Sequence, residues 1–174
     1  MVKVIVGLGN PGEEYANTYH NVGVQALRAI GEELAAQGLP AFKTHRHLFE
    51  YSSVGDFALV IPLTFMNASG EAVKEALKKF NAEPRDLIVL HDESDLTVGN
   101  YKISKDRGAA GHKGVQSIMD VLGCNDFTRV RIGIRPAQEI KRKKAEEFVL
   151  SAIKPGDKTE LRKVFTEVKE ALTR

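Results

Sequence analysis

Cysteine occurs once in the 174 residues, at Cys124. A lone thiol excludes an internal disulfide framework and a cysteine-rich zinc site, and it fits a reducing cytoplasm. No apolar run approaches the roughly 20 residues that span a bilayer. The apolar part of the opening MVKVIVGLGN is too short, and too soon broken by glycine, for a signal peptide. Repeats and low-complexity tracts are missing too. What remains is ordinary globular composition, 43% hydrophobic and 28% charged, far from disorder. The length suits one domain over residues 1–174 with a sizeable core. The expectation is a soluble, cytoplasmic domain.

The formal net charge of +2 conceals an asymmetry. Residues 1–98 carry 8 Lys and Arg against 13 Asp and Glu, whereas residues 99–174 carry 17 against 10. The excess concentrates in residues 99–145, with 11 basic and 4 acidic side chains. A phosphate-rich partner needs such a stretch, although a solvated basic face on an unrelated enzyme has the same composition.

Strand and helix signals alternate without a linker. Val2–Leu8 is a short apolar run rich in β-branched residues and stopped by glycine, the signature of a buried strand. Leu27, Ile30 and Leu34 recur at helical spacing, and Gly38-Leu39-Pro40 closes that helix. Leu48–Val54 and Phe57–Ile61 flank Gly55-Asp56 as the arms of a hairpin. Val73, Leu77 and Phe80 mark a helix that ends before Pro84. Leu87–Leu90 reads as a strand followed by a polar turn, His91–Asp95. Tyr101–Ser104 predicts a strand, then Val115, Ile118, Met119 and Leu122 a helix. Phe127–Ile134 alternates, with Arg129 and Arg131 on one face and Val130, Ile132 and Ile134 on the other. Leu161, Val164, Phe165, Val168 and Leu172 complete a C-terminal amphipathic helix, and Lys141–Lys144 is a charge run too short to be a tail. Hairpin signals beside crossovers predict an α/β fold, a single-domain three-layer α/β/α arrangement with a mixed, mostly parallel twisted sheet.

Gly7-Leu8-Gly9-Asn10-Pro11-Gly12 formally satisfies G-x-G-x-x-G, which invites a dinucleotide site. In such a site the helix begins within the glycines, but here a polar and aromatic stretch, Glu13–Asn21, intervenes. The acidic residue due about 20 positions on should end a second strand, and Glu32 and Glu33 sit inside the predicted helix instead. A tight turn explains Asn-Pro-Gly equally well.

Other polar residues gather where strands end. Asn10 follows the first strand, His20 the loop after it, Asn67 the turn after Phe57–Leu63, and Asp92 the Leu87–Leu90 strand. The carboxyl ends of parallel strands open onto one crevice, so these four can meet. Each has a plainer explanation: Asn67 as a helix cap, Asp92 as a solvated turn acid, His20 as a surface histidine. Together they supply a base, a carboxylate to orient it and two amides. No serine or cysteine is set up as a nucleophile. Metal-ligand spacing is lacking as well, since His45 and His47 have only Glu50 nearby.

The order of motifs carries a further signal. Val6–Gly12, then Glu14-Tyr15, then His20-Asn21-Val22-Gly23 closely resembles the opening of the bacterial-type peptidyl-tRNA hydrolase family. The resemblance continues through Thr64–Gly70, His91–Leu96, Gly108–Gly114 and Arg129–Ile134, in the family's order over residues 1–155. It implies a metal-free, cofactor-free monomer without an obligate protein partner. Such an enzyme hydrolyses the ester between a peptide and the 3′-terminal ribose of tRNA, and so recycles tRNA from prematurely released peptidyl-tRNA.

Carried onto this sequence, the resemblance makes His20 the general base, Asp92 its orienting carboxylate, and Asn10 the amide that distinguishes peptidyl from free aminoacyl substrate. Tyr15, Phe65 and Asn67 line the cleft for the peptide and the tRNA 3′ end. Lys102, Lys105 and Arg131 fall where the family clamps tRNA phosphates. Lys113 stands where the family usually has asparagine; a donor-only cation there can bind phosphate but cannot accept from a peptide N–H. The chain also ends sooner than many members. Some relatives on this fold are splicing cofactors, so a non-catalytic RNA-binding protein is the rival reading.

The chemistry suits these residue types. An acyl ester needs only a water, a base and an oxyanion stabiliser. Imidazole, with an ordinary pKa near about 6.5, takes a proton at neutral pH. A carboxylate on one ring nitrogen leaves the other free to do so, and the amide of Asn10 or Asn67 can donate to the developing oxyanion.

Overall fold

Three consecutive β-branched residues, Val4, Ile5 and Val6, leave strand β1 (Lys3–Gly7) no face for water, and it lies at the centre of the sheet. The other strands are β2 (Lys43–His45), β3 (Phe49–Val54), β4 (Phe57–Pro62), β5 (Leu87–Thr97), β6 (Tyr101–Lys105) and β7 (Thr128–Arg135). In this computed structural model, which describes residues 1–173, they form one sheet in the order β2-β3-β4-β1-β5-β7-β6. The central four, β4-β1-β5-β7, run parallel, and both edges are antiparallel. The Gly55-Asp56 hairpin joins β3 to β4 as expected.

Four helices cover the sheet: α1 (Val22–Ala35), α2 (Ser69–Lys79), α3 (Lys113–Leu122) and α4 (Pro155–Thr173). Alternation along β1 divides its side chains between two cores. Ile5 packs with Leu27 and Ile30 of α1 and Leu161 and Val168 of α4. Val4 and Val6 pack with Val73 and Leu77 of α2 and Val115 and Ile118 of α3. This is the three-layer α/β/α arrangement, a single α/β domain with a mixed sheet.

Two close approaches place the site. A Cβ on Gly7 would lie 2.5 Å from the carbonyl oxygen of Gly23, and one on Gly23 would lie 2.3 Å from that of Leu90. Only glycines let the first turn of α1 sit directly on the ends of β1 and β5, and that contact brings His20 up to Asp92. The first glycine of the apparent nucleotide motif therefore serves helix–strand packing.

The polar turn expected at His91–Asp95 is not a turn. β5 runs on to Thr97, because β7 continues beside it: His91, Asp92 and Glu93 pair with Arg131, Ile132 and Gly133, and the register shifts between Glu93 and Thr97. Backbone pairing on one flank holds the strand where side-chain polarity suggested a loop. Helix α1 starts five residues before Leu27, and edge strand β2 adds a third antiparallel strand beyond the hairpin.

Candidate active site

Asp92 is the centre of the site. Its side chain is buried, and both oxygens are used: Oδ2 lies 2.9 Å from Nδ1 of His20, and Oδ1 lies 2.8 Å from Nε2 of His112. His112 caps α3, with its Nδ1 accepting from the Val115 N–H at 3.3 Å. That bond settles the tautomer. Nδ1 must be bare, so Nε2 carries the proton and donates to Asp92. Burial alone would raise the Asp92 carboxyl, but the contacts from His112 and then His20 outweigh it and hold the group well below the usual carboxylate range. Asp92 is thus an anion that orients two imidazoles, and Nε2 of His20 is left without a partner among the described residues.

These residues open onto a cleft of about 710 Å³, lined also by Asn10, Phe65, Asn67 and Lys113. Asn10 is fixed at three points. Its N–H donates to Asn21 Oδ1 and its carbonyl accepts from Asn21 Nδ2, both at 2.9 Å, and its Oδ1 accepts from the Met66 N–H at 2.8 Å. With its oxygen committed, the Asn10 amide keeps its NH2 as a donor for the cleft. Asn67 is exposed in the turn Met66–Ala68 and does not cap α2, whose cap position is Ala68 with no side-chain bond. Phe65 is exposed at the lip, with the Tyr15 ring edge-on at 6.3 Å. Lys113, the first residue of α3, is exposed there too, without a charged partner among the described residues. Ala145, Glu146, Val149 and Leu150 line the cleft as well.

The same atoms test for a metal. Ligand atoms of His20, Asp92 and His112 lie within 4.8 Å of one another. A metal on Nε2 of His112 would push its proton to Nδ1, against the Val115 N–H that already points there. The cluster is built to hold protons between its members, and it fits a cation poorly. Behind it, His91 is fully buried, donates from Nδ1 to the Asp92 carbonyl at 2.7 Å, and has no partner for Nε2. Desolvation keeps its pKa well below the ordinary histidine value, so it is a neutral ring against His112.

The basic residues form a separate rim. Lys102, Lys105 and Arg131 come together with Arg107 around a second hollow of about 350 Å³ at the β6 edge. They are not equally free. Arg131 Nε donates to Glu93 at 2.9 Å with both side chains largely buried, and Lys105 pairs with Asp126 at 3.0 Å in the open. Arg129, buried on the same strand, donates to the Gly108 carbonyl at 3.0 Å and anchors the loop ahead of α3. His45 meets a carboxylate after all, Glu75 of α2 at 3.4 Å, which Arg46 also holds, while Glu50 pairs with Arg28.

His112 is the member that sequence reading passed over as a functional side chain. A histidine at a helix N-cap, where Ser, Thr, Asp or Asn is usual, was the available signal. The cleft wall at Ala145–Leu150 carried none.

Comparison with known proteins shows the family. A family model described as peptidyl-tRNA hydrolase matches residues 4–174. The peptidyl-tRNA hydrolase of Thermodesulfovibrio yellowstonii is 39% identical over 176 residues, covering 97% of this chain and 89% of that protein. That of Thermotoga petrophila is 40% identical over 173 residues, covering 97% and 88%. A crystal structure of peptidyl-tRNA hydrolase from Acinetobacter baumannii matches with a TM-score of 0.84 at 28% identity, covering 97% of this chain and 85% of that one. The chain belongs to the peptidyl-tRNA hydrolase family, enzymes that hydrolyse the ester bond of peptidyl-tRNA.

Proposed function

We propose that the enzyme works through His20 as general base, and the observation that carries this reading is the Asp92–His20 bond at 2.9 Å with Nε2 of His20 left unpartnered at the cleft. Asp92 holds the proton on Nδ1, so Nε2 takes one from water. The water oxygen bonds to the ester carbonyl carbon, and the carbonyl oxygen becomes an oxyanion beside the Asn10 NH2, with Asn67 at the lip as the second amide. The bond to the ribose oxygen then breaks, and His20 returns its proton to that oxygen. The products are a peptide with a free carboxylate and tRNA with a free terminal hydroxyl.

Phe65 and Tyr15 offer the apolar edge against which the peptide and the 3′ end lie, and Lys113 meets phosphate there. Lys102, Lys105, Arg107 and Arg131 position the tRNA backbone without reading sequence. Ester hydrolysis by a base-activated water asks for a base, its orienting carboxylate and an oxyanion donor, and on this reading the enzyme is a monomer that needs no protein partner and no cofactor. Among the described residues no helix is long and apolar enough to cross a membrane, and the lone Cys124 thiol fits a cytoplasmic location. A non-catalytic RNA binder on this fold would have no use for a buried carboxylate held between two imidazoles.

His20→Ala tests the assignment. Its turnover on peptidyl-tRNA falls by about 100-fold or more, with tRNA affinity near wild type. Retention of most of the turnover removes His20 from the mechanism. EDTA leaves hydrolysis of a simple peptidyl ester unchanged, a substrate chosen because it has no RNA fold that needs magnesium; loss restored by zinc overturns the metal-free reading.

A further inference from the structure

His20 is held from two sides. Asp92 fixes its ring, while its backbone leans on a different part of the chain. Residues 17–20 run antiparallel to residues 149–153. The Ile153 N–H donates to Asn17 O at 2.9 Å, Thr18 bridges Ala152, the Tyr19 N–H donates to Ser151 O at 3.3 Å, and the His20 N–H donates to Val149 O at 2.8 Å. Tyr19–Asn21 is a single 3-10 turn that leads into α1, so these bonds support the His20 backbone on the side away from the helix. Val149 and Leu150 of the same segment form the cleft wall.

Tyr19 closes this arrangement. Its ring is buried edge-on to Phe148 at 6.3 Å. Its hydroxyl donates to Asp157 Oδ2 at 2.5 Å and accepts from the Lys154 N–H at 3.3 Å. Asp157 lies in the first turn of α4. A phenylalanine would fill the same space, so packing does not call for the hydroxyl. What the hydroxyl adds is a fixed link from the residue next to His20 to the start of α4. Burial and then the Asp157 bond push the phenol up to about 12, so the O–H donor persists throughout the working pH range.

We infer that Tyr19 and Asp157 form a latch that positions His20, making the start of α4 part of the apparatus that aligns the general base. The inference rests on the assignment of His20 as that base. Proton transfer demands alignment, and a misplacement of about 1 Å from a remote change can cost up to about 100-fold. Tyr19 and Asp157 touch neither substrate nor water; they are positioning residues.

Tyr19→Phe and Asp157→Ala, compared with wild type at a temperature where all are folded, give the test. Each lowers kcat by about tenfold with KM within about twofold. The double variant is no slower than either single variant, since both remove one interaction, and Asp157→Asn, which keeps an acceptor oxygen, recovers most of kcat. Wild-type kcat in Tyr19→Phe, whatever its melting temperature, overturns the latch, as does a double variant whose losses multiply. Where Tyr19→Phe does not fold, Asp157→Ala and its Asn counterpart carry the same expectation. His20→Ala run in parallel separates the two readings. A dead His20→Ala beside a fully active Tyr19→Phe overturns only the latch, and an active His20→Ala overturns the base itself.

Discussion

Asp92→Asn sets the two histidines against each other. An asparagine offers one oxygen and one NH2 where the carboxylate gives an acceptor to each ring. His112 cannot adapt without losing the helix cap, because the Val115 N–H holds its Nδ1 bare and its Nε2 protonated. The amide oxygen therefore turns to His112, and the NH2 faces Nδ1 of His20 across a contact that is 2.9 Å in the native chain. His20 must then accept at Nδ1 and carry its proton on Nε2, the tautomer that cannot take one from water. The same exchange in a serine-protease triad costs about 10⁴ in kcat, equivalent to about 5 kcal/mol of barrier. The expected loss here is of that order, read as peptide release from peptidyl-tRNA under saturating conditions. The decisive variant is the double one. In Asp92→Asn/His112→Ala the amide is free to turn its oxygen to His20, the productive tautomer returns, and turnover rises about 10- to 100-fold above Asp92→Asn alone. A double variant slower than Asp92→Asn refutes the tautomer argument.

Lys113→Asn, which puts in the residue that the family resemblance implies here, weakens tRNA binding at low salt and flattens the slope of log affinity against log salt by about 0.7 to 0.9 of a unit; an unchanged slope makes Lys113 a bystander. Acid stability follows from Asp92. Its folded pKa lies below the unfolded value of about 3.9, so its contribution is complete above about pH 4 and is lost as pH falls through the folded value. Denaturant midpoints of wild type therefore drop more steeply below about pH 4 than those of Asp92→Asn, and parallel curves contradict the assignment.

The elements whose side chains divide cleanly between core and water were legible from periodicity. Val130, Ile132 and Ile134 are fully buried on β7, as their alternation implied. The hairpin arms and the cores of all four helices lie where the apolar spacing put them. Polar character misled in two places. Arg129 shares the polar face of β7 yet is buried, because its guanidinium ties down the Gly108 carbonyl. His91–Asp95 reads as a turn, since nothing in its own composition reveals that β7 runs alongside. Long-range pairing was the missing information there, and it also hid His112 and the Val149 wall from view. Asn10, His20, Asn67 and Asp92 line one cleft, as the convergence of strand ends allowed, whereas their roles come from the family resemblance and not from that geometry.

The extension of β5 explains why those four make a site at all. β1 ends its pairing with Gly7 opposite Leu90, while β5 continues on its other flank with β7. Beyond Leu90 the strand therefore has one flank locked and one open. Asp92 sits in that stretch, its backbone made rigid by β7 and its carboxylate buried among residues that arrive from outside the sheet. His112 comes at the start of a ten-residue helix and is fixed by it. His20 comes on a single 3-10 turn just ahead of α1, and its alignment with a rigid Asp92 depends both on how α1 seats and on what lies behind it, the segment that leads into α4. Substitutions at the start of α4 should appear in kcat, whereas those at the β6 rim, which we propose as the seat of the tRNA backbone, should appear in KM and its salt dependence.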